Sequence, residues 1–452
     1  MRTLRTAAQF SAHVARLGVD LPFAAEVDPA GVLAQPITIG VRRAPNRFAI
    51  LPMEGWDGTD DGRPTDLVER RWSRFGASGA GLVWGGEAVA VVPVGRANPR
   101  QLCIGPQSPG DLASLRARLG DVAVVGLQLT HSGRFSVVPV AAGSHPVLDG
   151  RRPAPPITDQ ELDDLVDDYV RAARIAAVAG FDFVDVKACH GYLVHELLGA
   201  VDRPGPYGGD FDGRTRFVRR VIESVRAAVP EVAVGVRLSV FDVVPHRAGA
   251  DGVGEPEPVA APYRHAFGGD GSGVGLDLDE PFRLIDALVA SGVTMVCVTA
   301  GSPYYCPHVQ RPAYFPPSDG YTPPEDPLVG VARLVAAAAA VRTHRPDLQV
   351  VASGLSYLQE WLPNVAQALV ANEGIDFVGL GRMALSYPTL PTDVLAGQPV
   401  DRPHLCRTFS DCTTAPRHGL VSGCYPLDEF YKSHPDRSGL TVAKRATRAR
   451  RG

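Results

Sequence analysis

The stretch DVKACHGYLVHELL, residues 185–198, gathers five side chains that can donate or accept a proton, directly after the apolar run GFDFV. They are Lys187, Cys189, His190, Tyr192 and His195. Ammonium, imidazole and phenol groups hold or transfer protons in catalysis, and such groups are uncommon at the end of a buried strand. The spacing therefore predicts proton chemistry at this position.

Lys187 is unusual in this chain because nearly every other cation is an arginine. Of the 45 basic residues, only Lys187, Lys432 and Lys444 are lysine. A lysine can lose its proton when it is desolvated and acts as a compact point charge, whereas an arginine stays charged. A buried ion pair would also explain a lysine at this position. Chance is the other explanation, and the small number of lysines in the chain argues against it.

The composition describes an ordinary globular protein and excludes several classes. The chain has 452 residues, 45% of them hydrophobic and 21% charged, and one large α/β domain or two domains fit this length. A net charge of −4 argues against nucleic-acid or membrane partners. Seven scattered cysteines, with no signal-peptide pattern and no apolar run long enough to span a membrane, predict a cytoplasmic protein.

Eight apolar runs alternate with segments of helical periodicity. One of these helical segments begins with the capping-box pair Thr158 and Glu161. Continuous apolar strands indicate a parallel sheet buried on both faces, and eight βα units favour an α/β (β/α)8 TIM barrel. No GxGxxG follows the first run, which disfavours a Rossmann domain. The predicted strands are 48–53, 81–87, 122–129, 181–187, 232–239, 294–301, 349–354 and 376–381.

The expected organisation is an N-terminal helix and connector at 1–40, a barrel at 41–400 and a C-terminal extension with a basic tail at 401–452. Long loops at 241–275 and 302–327 follow the fifth and sixth strands, where a substrate lid belongs in a barrel. Ser353, Gly354, Gly381 and Arg382 end the last two strands. Glycines and an arginine there favour a phosphate site, although simple strand-to-helix turns would also use the glycines.

Seven motifs occur in the order of one known family. They are NRFAILPM, GLQLTHSGR, GFDFVDVKACHGYLVHELL, YGGDFDGRTRF, VGVRLS, ASG and VGLGR. Over about residues 40–400 the chain resembles the Old Yellow Enzyme (NADH:flavin oxidoreductase) family, close to the barrel portion of 2-enoate and 2,4-dienoyl-CoA reductases. The resemblance implies FMN at the barrel mouth, NAD(P)H as electron donor and a small-molecule substrate.

The resemblance also implies which residues contact the cofactor. Gln128 would pair with the flavin amide, and Arg237 would lie near the ring edge that carries negative charge after reduction. Barrel packing would also account for Gln128 and Arg237, but a buried arginine needs a partner in either case. The implied cofactor residues are Pro52, Met53, Glu54, Ala88, Gln128, Arg237, Ser353, Gly354, Gly381 and Arg382.

Two departures from the family pattern fall at the reacting end of the site. His190 and Tyr192 match the family's oxygen-binding and proton-donating positions, but Lys187 replaces the first histidine. Lys187 could donate a hydrogen bond to the acceptor's oxygen, or act as a base if it is neutral. Glu54 stands where relatives often have a small threonine or cysteine, and we expect it to pair with Lys187.

The tail departs from the family as well. Cys406, Cys412 and Cys424 resemble the four-cysteine cluster motif of the larger relatives, but one cysteine is missing. A zinc site completed by His404 or His418 is an alternative. We favour buried thiols and expect no metal.

The predicted function is NAD(P)H-dependent reduction of an activated C=C bond by an FMN enzyme, with Lys187 and His190 polarising the acceptor and Tyr192 protonating it. The alternatives are a flavin-dependent dehydrogenase or demethylase that oxidises a C–N or C–C bond, and a flavin-binding barrel without turnover. The sequence leaves open the choice between NADH and NADPH and the oligomeric state, a homo-oligomer included.

Overall fold

The computed structural model describes Met1 and residues 3–451, with side chains up to residue 446. Gly452, the last residue of the predicted basic tail, lies outside the described residues. The strands are β1 Ile37–Ile39, β2 Arg42–Ala44, β3 Phe48–Ile50, β4 Leu82–Val83, β5 Ala88–Ala90, β6 Val124–Thr130, β7 Phe183–Ala188, β8 Ala233–Ser239, β9 His246–Ala248, β10 Gly254–Pro256, β11 Met295–Thr299, β12 Gln349–Ala352 and β13 Phe377–Leu380.

The α-helices surround these strands and continue beyond the last of them. They are α1 Ala7–Leu17, α2 Asp66–Gly76, α3 Ser108–Arg118, α4 Leu148–Arg151, α5 Asp159–Val178, α6 Leu193–Leu198, α7 Phe211–Ala228, α8 Asp279–Ala290, α9 Pro307–Gln310, α10 Pro327–His344, α11 Leu362–Asn372, α12 Arg382–Ser386, α13 Leu390–Leu395, α14 Asp411–Arg417, α15 Glu429–Lys432 and α16 Asp436–Arg451.

Eight parallel strands close into a barrel, which confirms the predicted (β/α)8 fold. The order around the barrel is β3, β4, β6, β7, β8, β11, β12 and β13, and β13 pairs again with β3. Each of these strands lies within or overlaps one of the eight predicted runs. Trp84, Phe183, Met295 and Phe377 fill the interior, so the barrel has a packed core and a ligand must lie at its mouth.

Helix caps appear where the sequence predicts them. Thr158 accepts a hydrogen bond from Glu161 N, and the Glu161 side chain accepts one from Thr158 N, so α5 begins with the expected capping box. The N-terminal helix expected within residues 1–40 is α1, and Thr6 is its N-cap. Local side-chain chemistry therefore sets where these helices begin.

The two long loops follow β8 and β11, at the carboxyl ends of the barrel strands, as predicted. The first contains the hairpin of β9 and β10, which the polar, glycine-rich sequence does not reveal. Residues of the C-terminal extension pack on the second loop, where Thr408 Oγ1 accepts from Tyr314 N and Ser410 Oγ donates to the carbonyl of Phe315. The predicted boundaries at residues 40 and 400 stay predictions. Among the described residues, no helix combines the length and apolar character needed to cross a membrane.

Candidate active site

A cleft that is open to solvent lies at the carboxyl ends of the barrel strands. Its walls bring together residues that are more than 300 positions apart in the sequence. All the residues predicted for catalysis or cofactor binding line this cleft except Ala88. They are Pro52, Met53, Glu54, Gln128, Lys187, His190, Tyr192, Arg237, Ser353, Gly354, Gly381 and Arg382.

Ala88 lies in β5 and does not belong to the cleft wall. It is fully buried and pairs in register with Gln128, and its carbonyl oxygen accepts a hydrogen bond from Gln101 Nε2. The strand bond and the Gln101 amide together hold Ala88 in the sheet. Its contact with a cofactor stays a prediction.

Lys187 and Glu54 form the ion pair that the sequence predicts. Lys187, in β7, places Nζ 2.7 Å from Glu54 Oε1, while the indole Nε1 of Trp56 donates to Glu54 Oε2 at 2.8 Å. The two charged side chains are 4% and 15% exposed, so water screens the pair weakly. Lys187 Nζ also lies 4.0 Å from the ring centroid of Tyr192. One cation therefore contacts both the carboxylate and the candidate proton donor.

A buried ionic network positions the loop that carries Glu54. Arg71 pairs with both Asp57 and Glu87, and Glu87 Oε2 accepts from Gly55 N at 3.1 Å. A Cβ at Gly55 would come within 2.1 Å of Arg71 Nη2, so a larger residue there would have to displace the guanidinium group from its carboxylate partners. Burial raises the pKa of Glu87 to about 7, against the attraction of Arg71, and repulsion from Asp57 adds to the rise.

Glu87→Gln is expected to flatten the pH dependence of folding stability between about pH 5 and 7. A folded-state pKa above the ordinary 4.5 means that the folded protein binds more protons, so this group's contribution is present at low pH and is lost as the pH rises through 7. The difference in unfolding free energy between pH 5 and pH 8 should change by about 1–3 kcal/mol in urea titrations.

Glu161→Gln is the matched control for that measurement. Hydrogen bonds from Thr158 lower the pKa of Glu161, so its contribution is lost only below its ordinary pKa. This variant should leave the slope between pH 5 and 8 unchanged. An unchanged slope in Glu87→Gln would show that Glu87 does not titrate in this range.

His190 is held in a left-handed backbone conformation with φ of 66°. A non-glycine residue there costs about 1–2 kcal/mol, and the surrounding bonds offset it: Ser302 Oγ donates to His190 O at 2.9 Å. The ring Nε2 lies 3.1 Å from the Gln310 amide nitrogen and 3.2 Å from Thr299 Oγ1, and an Nε2 that accepts from this amide leaves the proton on Nδ1. Burial, with Arg237 and Lys187 nearby, holds the pKa of His190 well below its ordinary value, so the ring is neutral.

Tyr192 is a protonated phenol in contact with a second tyrosine. Its hydroxyl lies 3.1 Å from that of Tyr304, whose ring stacks on Phe135 at a centroid distance of 4.0 Å. Burial first, and then the Glu54 carboxylate, raises the pKa of Tyr192 well above its ordinary value. Tyr192 is therefore a neutral phenol that holds a proton to donate at neutral pH.

Two neighbours of these residues have supporting positions. His195 Nδ1 accepts from Gly191 N at 2.8 Å and so fixes the turn between His190 and Tyr192. Cys189 is fully buried, and burial raises its pKa to about 12, which keeps the thiol protonated and unreactive. Neither residue lines the cleft, so both support the site from behind its wall.

A buried carboxylate orders Gln128 and the strand that carries Arg237. Asp185 Oδ2 accepts from Gln128 Nε2 at 2.6 Å and from Trp84 Nε1 at 2.7 Å, and Oδ1 accepts from Arg237 N at 2.6 Å. Burial raises the pKa of Asp185 to about 6. One amide N–H of Gln128 is thereby committed, which fixes the orientation of the side chain in the cleft wall.

Two buried guanidinium groups in the cleft lack the partners that buried charges require. Arg237 is 7% exposed and its Nε has no hydrogen-bond partner among the described residues, so the protein partner expected from the sequence is not found there. Arg382 Nη1 also has none, while Nη2 donates to Pro312 O. Gly354, at φ of 84°, and Gly381 complete this end of the cleft. Unpartnered cations and glycines suit a cofactor that carries a phosphate, such as FMN, and the assignment of Arg237 to its ring and Arg382 to its phosphate stays a prediction.

Sequence reasoning missed several cleft residues on loops and in the C-terminal extension. The sequence left open whether Tyr304 forms a pocket wall or anchors its loop, and it placed Trp56 in a loop expected to border the substrate pocket. Nothing in an arginine-rich chain distinguishes Arg311 or Arg417. The extension reaches the cleft through α14, which no motif predicts. The additional lining residues are Leu51, Trp56, Pro303, Tyr304, Gln310, Arg311, Ser356, Cys412, Thr413, Pro416 and Arg417.

The three tail cysteines are free thiols. Burial raises the pKa of Cys406 and of Cys424. Within the described part of the chain, no group of three or more His, Cys, Asp or Glu side chains is arranged to hold a metal ion. The assignment of these cysteines as buried thiols stays a prediction.

Solved structures of known proteins share this fold. An Old Yellow Enzyme homologue from Zymomonas mobilis covers 81% of the chain and 93% of its own length, with a TM-score of 0.58 and 23% identity. Histamine dehydrogenase from Rhizobium sp. 4-9 covers 91% of the chain and 55% of its own length, with a TM-score of 0.67 and 19% identity. At these identities the likeness concerns the fold.

Curated relatives are similar in sequence over about half of the chain. An NADH:flavin oxidoreductase of Gibberella zeae is 31% identical over 253 residues, which are 49% of this chain and 60% of the relative. An NADPH dehydrogenase of Geobacillus sp. is 31% identical over 224 residues, 47% of this chain and 65% of the relative. The matched region thus spans less than two thirds of either relative.

The family profile gives the assignment. The profile of the NADH:flavin oxidoreductase / NADH oxidase family matches residues 32–257, half of the chain, and contains the candidate residues from Pro52 to Arg237. It confirms the resemblance seen in the motifs and FMN as the cofactor that the cleft cations fit. The chain belongs to the NADH:flavin oxidoreductase / NADH oxidase family.

Proposed function

We propose that this protein is an FMN-dependent oxidoreductase that uses NAD(P)H to reduce an activated C=C bond of a small molecule. The observation that carries the proposal is the group of Lys187, neutral His190 and protonated Tyr192 in one cleft with the unpartnered Arg237. The names of the curated relatives, an NADH:flavin oxidoreductase and an NADPH dehydrogenase, support NAD(P)H as the electron donor.

Each residue has a task that follows from its protonation and contacts. Bound FMN supplies the hydride chemistry. Lys187 Nζ and His190 Nδ1 would donate hydrogen bonds to the oxygen of the acceptor and stabilise the negative charge that develops there. Tyr192 would donate its proton to the adjacent carbon. Glu54 would keep Lys187 charged and in place.

Other expectations remain part of the proposal. A cytoplasmic location agrees with the free thiols, and we keep open a homo-oligomeric state and the choice between NADH and NADPH. The reverse direction, oxidation of a C–N or C–C bond, has a fold relative in histamine dehydrogenase, but the curated relatives favour reduction. A flavin barrel without turnover would not require a protonated Tyr192 beside Lys187.

The purified protein is expected to be yellow and to bleach when NADPH or NADH is added without oxygen. Visible absorbance measures both the bound flavin and its reduction by the nucleotide. A colourless protein that takes up no added FMN would contradict the proposal. A yellow protein that ignores both nucleotides and is bleached by an amine would instead support the dehydrogenase.

A further inference from the structure

Seven arginines are buried among the residues that the structure describes, and their partners divide them into two groups. Four have a carboxylate partner: Arg71 with Asp57 and Glu87, Arg134 with Glu196 and Asp149, Arg203 with Asp159, and Arg214 with Glu280. The other three, Arg237, Arg311 and Arg382, have no carboxylate within ion-pair distance among the described residues. All three line the cleft, whereas none of the paired four does.

Arg311 is the member of this group that no motif assigns. It follows α9 and is 7% exposed, and its charged nitrogens contact only neutral groups: Nη1 donates to Thr413 Oγ1 at 2.6 Å and Nη2 to Ser410 Oγ at 3.3 Å. Burying a cation without a counterion is unfavourable, and two neutral hydroxyl groups do not neutralise its charge. The chain therefore orders a charge that an anionic ligand must balance.

The position of Arg311 indicates which anion this is. Arg382 Nη2 donates to the carbonyl of Pro312, the residue after Arg311, so the two guanidinium groups converge at one end of the cleft. Burial, together with repulsion from Arg382, lowers the pKa of Arg311 to about 9, which agrees with two uncompensated charges in proximity. Gly354 and Gly381 line the same cleft.

The cleft charges also fit a phosphate. Lys187 and Glu54 neutralise each other, and Asp319 neutralises Arg417, which leaves three positive charges in the cleft wall, on Arg237, Arg311 and Arg382. A phosphate monoester carries about −1.5 to −2 at neutral pH and accepts hydrogen bonds from planar guanidinium groups. The charges of Arg311 and Arg382 together balance the charge of one phosphate, which leaves Arg237 to contact the flavin ring.

We propose that Arg311 is a second arginine ligand of the FMN phosphate and that Ser410 and Thr413 of the C-terminal extension position it. This inference rests on the proposed FMN enzyme and extends it to the extension, which would complete the cofactor site. Arg311 could instead bind an anionic group of the substrate. Binding measurements with FMN and with riboflavin distinguish the cofactor phosphate from such a substrate group.

Arg311→Met in the full-length protein is expected to weaken FMN binding by about 10- to 100-fold and to leave riboflavin binding unchanged. Riboflavin lacks the phosphate, so the ratio of the FMN affinity to the riboflavin affinity isolates the contribution of the phosphate to binding. Quenching of flavin fluorescence on the flavin-free protein gives both affinities without turnover. An unchanged ratio would overturn the proposal, and an effect confined to the KM of an anionic substrate would assign Arg311 to that substrate instead.

Two further variants keep the test decisive. Arg417→Met removes a cation from the same cleft wall that Asp319 already neutralises, and the ratio should not change. Thr413→Val keeps Arg311 but removes the hydroxyl that positions it, and it should lower FMN affinity a few-fold. This variant replaces Arg311→Met in the test if Arg311→Met does not fold. If the wild type binds neither flavin, the proposed function fails. If it binds FMN and Arg311→Met binds FMN equally tightly, only this inference fails.

Discussion

Replacing Lys187 with methionine is expected to lower the turnover of an activated alkene by about 100- to 1000-fold while FMN stays bound. The change removes one donor to the acceptor's oxygen and leaves Glu54 with Trp56 Nε1 as its remaining partner. An unneutralised carboxylate in a poorly screened cleft disfavours additional negative charge nearby. The reduction potential of the bound flavin should therefore fall, by about 30 mV for each 1.4 kcal/mol of repulsion in a two-electron couple.

The matched variants are Glu54→Gln and the double variant. Glu54→Gln leaves Lys187 unneutralised and should raise the potential, whereas the double variant should return it close to the wild-type value. Turnover should stay low in the double variant because the donor is still missing. A potential that does not move in Lys187→Met would show that the Glu54 charge does not reach the flavin.

Tyr192→Phe is expected to reduce alkene turnover by about 100-fold or more and to leave bleaching by NAD(P)H unaffected. The phenol is the neutral donor of the cleft, and its loss affects only the step that needs a proton. Separate stopped-flow measurements of flavin reduction and reoxidation would resolve the two steps. Equal slowing of both would indicate a role for Tyr192 in binding or packing.

Tyr304→Phe is the control for Tyr192. It removes the hydroxyl that lies 3.1 Å from Tyr192 OH but keeps the ring that stacks on Phe135. We expect less than a tenfold loss, because Tyr192 keeps its own proton. A loss as large as that of Tyr192→Phe would make Tyr304 the group that resupplies the proton.

The sequence predicts the barrel because its signals are local. Continuous apolar runs indicate buried parallel strands, and Thr158 with Glu161 identifies the start of a helix. The Lys187–Glu54 pair was also predictable, since the two opposite charges lie at the carboxyl ends of barrel strands, which meet at the same barrel mouth. Residues that end strands are positioned by the fold itself.

The remaining parts of the site depend on packing between distant segments. Ala88 follows a strand end, as the resemblance requires, yet the bend into β5 removes it from the cleft. Arg311 becomes notable only when the partners of every buried arginine are compared. The extension reaches the site through hydroxyl contacts from Ser410 and Thr413, and no periodicity encodes such contacts.

The most direct test of the proposed function is a single turnover of the reduced protein with 2-cyclohexenone in the absence of oxygen. The enzyme is first bleached with NADPH or NADH, and absorbance and product are then followed together. We predict that the yellow colour returns and that one cyclohexanone forms for each flavin, with the rate strongly reduced in Lys187→Met. A reduced enzyme that stays colourless with this enone and other electron-poor alkenes would contradict the proposed reaction.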